Sequence, residues 1–158
     1  MREYTHNDIR KDMNKTSKII TLLILAILAT ACDTSDDVAE IFNGHRFKIT
    51  GITYNGIKTT QESEELYSAD DTYYITFTAQ TVQGMLAAGT PVEGTWKAEG
   101  KDRTMVVNLL RPQSADGMSE ICRLIYFTLK DATSYGGDKN VLRIYRDSNT
   151  YIDLSAKQ

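Results

Sequence analysis

Residues 73–98, YYITFTAQTVQGMLAAGTPVEGTWKA, decide the fold of this chain. Along the first six letters, Ile75 and Phe77 lie on one side and threonines on the other, an alternation that predicts a β-strand. TVQGML and VEGTWKA follow as two more strands, separated by a short turn around Gly89. Because short connections join antiparallel neighbours, the stretch predicts a β-meander.

Further strands are predicted on both sides of this stretch. HRFKITGITY (45–54) alternates apolar and polar residues, with a bulge expected at Gly51. TMVVNLL (104–110) is apolar enough to lie centrally in a sheet. VLRIYRDSNTYIDL (141–154) is predicted to form a hairpin across Asp-Ser-Asn, in which two apolar residues of each strand pair.

A change of period predicts one helix before this hairpin. Apolar residues recur at intervals of three and four over residues 118–132, with Asp116 as the expected N-cap and Gly136 and Gly137 beyond the end. We therefore expect residues 44–158 to form a single, mainly β (α+β) domain. It should hold an antiparallel meander of about seven strands, and one helix should precede the C-terminal hairpin.

The charge distribution excludes one class of partner. The formal net charge is -3, but the residues before Cys32 are basic, whereas those from Cys32 onward carry 13 Lys and Arg against 18 Asp and Glu. An acidic domain without a basic stripe argues against binding to the phosphate backbone of nucleic acid. We therefore expect no nucleic-acid partner.

The N-terminal region predicts export. Residues 19–31 form an uncharged, apolar run after Lys15 and Lys18. A helix of this length spans about 20 Å, less than the roughly 30 Å hydrocarbon core of a bilayer, so a signal peptide is favoured over a membrane span. We expect residues 13–31 to be the signal peptide and residues 1–12 to be a wrongly assigned start.

The end of the apolar run, Leu28-Ala29-Thr30-Ala31-Cys32, resembles the lipobox of bacterial lipoproteins. The resemblance implies that Cys32 is diacylated and becomes the mature N-terminus, and that the membrane is a partner through this lipid. Residues 32–43 are then an acidic, flexible tether. The whole chain resembles small lipoproteins of the Bacteroidetes, which implies a cell-envelope location with the outer membrane as the expected membrane. The acidic residues 33–37 resemble a tract that directs some of these lipoproteins to the outer face, and the alternative is a solvated linker, so the periplasmic and outer faces both stay open.

The body resembles the META domain of exported bacterial proteins, which implies its sheet-and-helix fold but no catalytic residue or ligand. The matching pieces, which together span residues 45–154, include Ile75-Thr76-Phe77, Val82-Gln83-Gly84, Gly94-Thr95-Trp96, Met105-Val106-Val107 and Leu142-Arg143-Ile144-Tyr145. A lipocalin-like barrel is the alternative fold. In it, the same strands would close around a small apolar ligand.

Few residues suggest catalysis. His45 is the only histidine after the signal, too few for a zinc site or a marked catalytic triad. Carboxylate pairs, such as Asp138 with Asp147 or Asp102 with Asp116, would be needed for a hydrolase. Because these acids lie in predicted turns, we expect a noncatalytic protein without cofactor or metal.

Tyrosines on the predicted strands suggest a binding surface. Adjacent strand residues point to opposite faces, so several tyrosines must face outward. We take Tyr74, Tyr145, Arg143 and Tyr151 as a candidate surface for a protein or glycan partner. The alternative is that these side chains only pair across strands and stabilise an exposed sheet face. Cys122, among apolar neighbours, is expected to be a buried, unreactive thiol.

Overall fold

The computed structural model describes residues 34–59, 66 and 72–157. The predictions for the signal peptide and for Cys32 lie outside these residues. The described part contains two helices, named α1 and α2, and nine strands. In chain order these are α1 (Thr34–Phe42), β1 (Arg46–Tyr54), β2 (Ile57–Lys58), β3 (Tyr74–Phe77), β4 (Thr81–Ala87), β5 (Thr90–Glu99), β6 (Thr104–Arg111), α2 (Glu120–Lys130), β7 (Ser134–Gly137), β8 (Val141–Asp147) and β9 (Thr150–Ala156).

The predicted mainly β fold is confirmed. Strands β3, β4, β5 and β6 pair in sequence as an antiparallel meander. In the C-terminal hairpin Leu142 lies opposite Leu154 and Ile144 opposite Ile152, as the alternation predicted. The predicted irregularity near Gly51 is a register shift in the pairing of β1 with β9.

The sheet closes on itself. One edge of β1 pairs with β3 and the other with β9, so the strand order β1-β3-β4-β5-β6-β7-β8-β9 returns to β1. The join between β6 and β7 is narrow, with Thr104 and Ser134 as its paired residues. Helix α2 contacts β6 and β8 on the two sides of this join, and also β4, β9 and β1.

Two short strands were not predicted. After the expected turn at Asn55 and Gly56, both with positive φ, the chain pairs back as β2 instead of leaving as a loop. Such a turn matches the twist of a β-hairpin. The second is β7, which contains Gly136 and Gly137, the two glycines that were expected only to follow the helix. The strand forms because Tyr135 packs into the core and these residues pair with β8.

Helix α2 is present as predicted, but its N-cap is Ser119 and not Asp116. The Ser119 hydroxyl accepts a hydrogen bond from the backbone N–H of Cys122 at 3.3 Å. Apolar side chains at helical spacing, Ile121, Ile125 and Leu129 among them, face the core. Of the two described helices, neither is long and apolar enough to cross a membrane.

The expectation of a flexible tether over residues 32–43 is corrected in its described part, because residues 34–42 form α1. Phe42 at its end is completely buried. Its ring centroid lies 4.7 Å from Trp96 and 5.0 Å from both Phe77 and Tyr135. The acidic composition of this segment masked the helical spacing of Val38, Ile41 and Phe42, which binds it to the sheet.

The interior of the closed sheet is filled by its own side chains. Six inward residues of β1, β8 and β9 are completely buried: Ile49, Ile52, Leu142, Ile144, Ile152 and Leu154. Ile125 and Leu129 of α2 are buried in the same core. This packing argues against a carrier that holds a ligand among these side chains.

We predict that Phe42→Ala lowers the free energy of unfolding by about 3–5 kcal/mol, the usual range for truncating a buried phenylalanine. Urea denaturation measures the loss. The matched control is Phe127→Ala, because Phe127 is 37% exposed and the same truncation should cost much less there. Equal losses at both positions would contradict the assignment of α1 to the core.

Candidate functional site

The described residues contain no group of three or more His, Cys, Asp or Glu side chains that could bind a metal ion. Cys122 is buried, as predicted, and its Sγ lies 3.4 Å from the carbonyl oxygen of Leu86. His45 lies at the start of β1, where a ring nitrogen is 3.2 Å from the carbonyl oxygen of Glu40. These residues suggest a structural role, so the outer sheet face is the better candidate site.

Three of the four residues predicted for a binding surface lie together on the outer face of the β8–β9 hairpin. Tyr145 lies opposite Tyr151, and Arg143 lies opposite Asp153. The two tyrosine rings are 5.4 Å apart at an angle of 55°. The Arg143 guanidinium carbon is 4.2 Å from the Tyr151 ring centroid, within the range of a cation–π contact.

Asp153 joins two cations in this group. Arg143 Nε donates a hydrogen bond to Asp153 Oδ1 at 2.6 Å, and Lys58 Nζ on β2 lies 3.9 Å from Asp153 Oδ2. Burial lowers the pKa of the Arg143 guanidinium, but the hydrogen bonds with Asp153 and Tyr145 outweigh it and raise the pKa above its usual value. We call Lys58, Arg143, Tyr145, Tyr151 and Asp153 the Arg143 cluster.

Two glycines make room for these side chains. A Cβ on Gly51 would lie 3.2 Å from Asp153 Oδ2 and 3.6 Å from Lys58 Cε. A Cβ on Gly136 would lie 3.4 Å from the edge of the Tyr145 ring. The Asp153–Lys58 pair and the Tyr145 ring therefore lie close to the sheet surface on either side of Arg143.

Tyr74 is not part of the Arg143 cluster. It lies on β3, and β1 separates that strand from β9. The guanidinium carbon of Arg46 lies 3.7 Å from the centroid of the Tyr74 ring. Both residues line a separate surface depression of about 380 Å³.

Three polar residues at this site were not predicted: Asp153, Lys58 and Thr53. The alternation in β9 places Asp153 on the same face as Tyr151, and this signal was available in the sequence. Thr53 lies opposite both Lys58 and Tyr151 in the register. Its side-chain oxygen is buried and has no hydrogen-bond partner among the described residues.

Comparison with known proteins places this fold in a family. None of the curated proteins matches the chain. A solved structure of a DUF4847 family protein from Bacteroides vulgatus ATCC 8482 is similar, with a TM-score of 0.61 and 26% sequence identity. The match covers 75% of this chain and 96% of that one.

The family model, described as a domain of unknown function, matches residues 33–155. That range begins one residue before α1 and ends one residue before the end of β9, so it takes in the closed sheet except for Ala156. The resemblance to META domains stays a prediction. The chain belongs to the DUF4847 family.

Proposed function

We propose that this protein is a noncatalytic lipoprotein of the cell envelope, anchored at Cys32 in the outer membrane, which binds a glycan through the Arg143 cluster. One observation carries the binding proposal: two tyrosine rings and a guanidinium lie together on an outer sheet face. The anchor is supported by the sequence, with an apolar leader and a lipobox-like end at Cys32. The similar structure from a Bacteroides species is consistent with the bacterial group that the sequence resembles.

The geometry of the Arg143 cluster favours a glycan over a protein partner. Arg143 and Tyr151 present a stacked cation and ring, and Asp153 and Lys58 beside them offer hydrogen-bond acceptors and donors. A sugar ring has an apolar face for an aromatic ring and hydroxyl groups for the polar groups around it. Protein interfaces are enriched in Tyr and Arg but depleted of Lys and Asp, whereas here Lys58 and Asp153 lie next to Arg143.

The alternative of a carboxylate-dependent hydrolase has weaker support. Asp138 accepts hydrogen bonds from the backbone N–H groups of Asn140 and Val141, and Asp147 accepts one from Asn149. The backbone bonds lower the pKa of Asp138, which keeps it ionised. Both carboxylates therefore stabilise turns, where Asp is common for this reason.

For the anchor, we predict that Cys32→Ala abolishes labelling of the protein by a palmitate analogue supplied to growing cells, because the thiol that accepts the lipid is removed. Fluorescence of the labelled protein after electrophoresis measures this. Cys122→Ala is the matched control and should keep its label. Equal labelling of wild type and Cys32→Ala would disprove the anchor. Protease treatment of whole cells separately tests whether the protein lies on the outer face of the outer membrane.

For the binding face, we predict that at least one polymer in a panel of neutral and acidic polysaccharides retards the full chain during affinity electrophoresis. Tyr151→Ala should weaken this binding by about tenfold, since aromatic anchors carry much of the energy of such contacts. Phe127→Ala, an aromatic truncation outside the cluster, should bind normally. A chain that no polymer retards, or a Tyr151→Ala variant that binds as well as wild type, would contradict glycan binding.

A further inference from the structure

The outer face around the Arg143 cluster is basic, although the domain is acidic. The charged residues of β1, β2, β8 and β9 are five cations, Arg46, Lys48, Lys58, Arg143 and Arg146, and two anions, Asp147 and Asp153. From Cys32 onward the whole chain has the opposite balance, with 13 basic and 18 acidic residues. The positive charge on this face is therefore a local feature.

Within the cluster, the Asp153 carboxylate interacts with two cations, Arg143 and Lys58. Asp153 is bonded to Arg143 and lies near Lys58, so the three side chains together carry one net positive charge. The Asp153 side chain is only 18% exposed, whereas those of Arg143 and Lys58 are 41% and 61% exposed. The cations therefore present more surface to solvent than the anion that holds them.

The arrangement suits a negatively charged group next to a ring. A guanidinium has several N–H donors in a planar fork, of which Asp153 accepts the one at Nε. Such forks bind carboxylates through paired hydrogen bonds that are stronger than neutral ones. The Arg143 guanidinium lies over one face of the Tyr151 ring, so a sugar must contact the part of this half-buried ring that stays exposed, and there a substituent of the sugar is within reach of Arg143.

We propose that the face recognises an acidic polysaccharide, with a uronate ring against Tyr151 and its carboxylate at Arg143 and Lys58. This inference rests on the proposed glycan binding and specifies the class of glycan. The polymer form follows from the spread of the cations, because Arg46 and Lys48 continue the basic face along β1 toward β3.

Polygalacturonate and its methyl ester test the charge requirement, because they share one backbone and differ in the carboxylate charge. We expect the purified full chain in mild detergent to bind polygalacturonate at least about tenfold more tightly, as charge-assisted hydrogen bonds are lost in the ester. Added salt should weaken the binding of polygalacturonate and leave that of the ester nearly unchanged. Isothermal titration calorimetry measures both.

Three variants separate the roles of charge and ring. Lys58→Gln should weaken polygalacturonate binding by about threefold, within the range for an exposed ion pair, and should not change binding of the ester. Tyr151→Ala should weaken the binding of both polymers. Lys97→Gln, which removes an exposed cation from the outer face of β5, is the control and should change neither.

Three outcomes would overturn the proposal, and they differ from failure of glycan binding in general. Equal binding of the two polymers that is lost in Tyr151→Ala would show a glycan site without selection for charge. Absence of polygalacturonate binding, with a neutral polymer bound in the wider panel, would also reject the acidic ligand and leave the proposed function intact. An equal loss of polygalacturonate binding in Lys58→Gln and Lys97→Gln would show only a nonspecific attraction between the polymer and the positive charges of the protein.

Discussion

The pairing of β1 with β9 is the contact on which the rest of the structure depends. It joins the first long strand of the domain to the last, so it turns a meander with two open edges into a closed sheet. A closed sheet leaves its inward residues on every strand facing one shared core, where Phe47, Ile49 and Ile52 of β1 are completely buried. The pairing must overcome the entropy lost when strands about one hundred residues apart in sequence are brought together. This entropic cost rises only slowly with the length of the closed loop.

The same pairing assembles the candidate site. It lays β1 and β2 beside the β8–β9 hairpin, and this places Lys58 next to Asp153. The register shift at Gly51 matters here, because it sets a residue without a side chain opposite Asp153. A larger residue at position 51 would push against the carboxylate that holds Arg143. The closure of the sheet and the geometry of the Arg143 cluster are therefore linked through one glycine.

Local patterns in the sequence predict most of this fold, whereas distant pairings are hidden. Strict alternation around Ile75 and Phe77 gave the meander, and the hairpin register of Leu142 with Leu154 followed from a short turn. The closure by β9 has no such signal, because alternation shows which residues face inward but not which strand lies alongside. Helix α1 was not predicted for a different reason. It has few apolar positions, and only the structure shows that Phe42 is buried against Trp96.

For the candidate site too, residues that local contacts bring together were predictable from the sequence, and residues that distant contacts bring together were not. Arg143, Tyr145 and Tyr151 were predictable because they lie on two strands joined by a tight turn, and Asp153 follows from the same alternation. Lys58 was not, since its neighbour in space is about a hundred residues away in sequence. The fourth predicted residue, Tyr74, shows the limit of the reasoning: sharing an outward face does not place two residues together when another strand lies between them.

The described helix also changes what an anchor at Cys32 would do. The acidic run after Cys32 predicted a flexible spacer of about a dozen residues, which would let the domain sample many orientations. Because α1 begins at Thr34, one residue, Asp33, separates Cys32 from the helix. Phe42 at the other end of α1 is fixed in the core by three aromatic rings. The segment between Cys32 and β1 is therefore not a flexible spacer in its described part, because residues 34–42 form a helix that ends on the aromatic core.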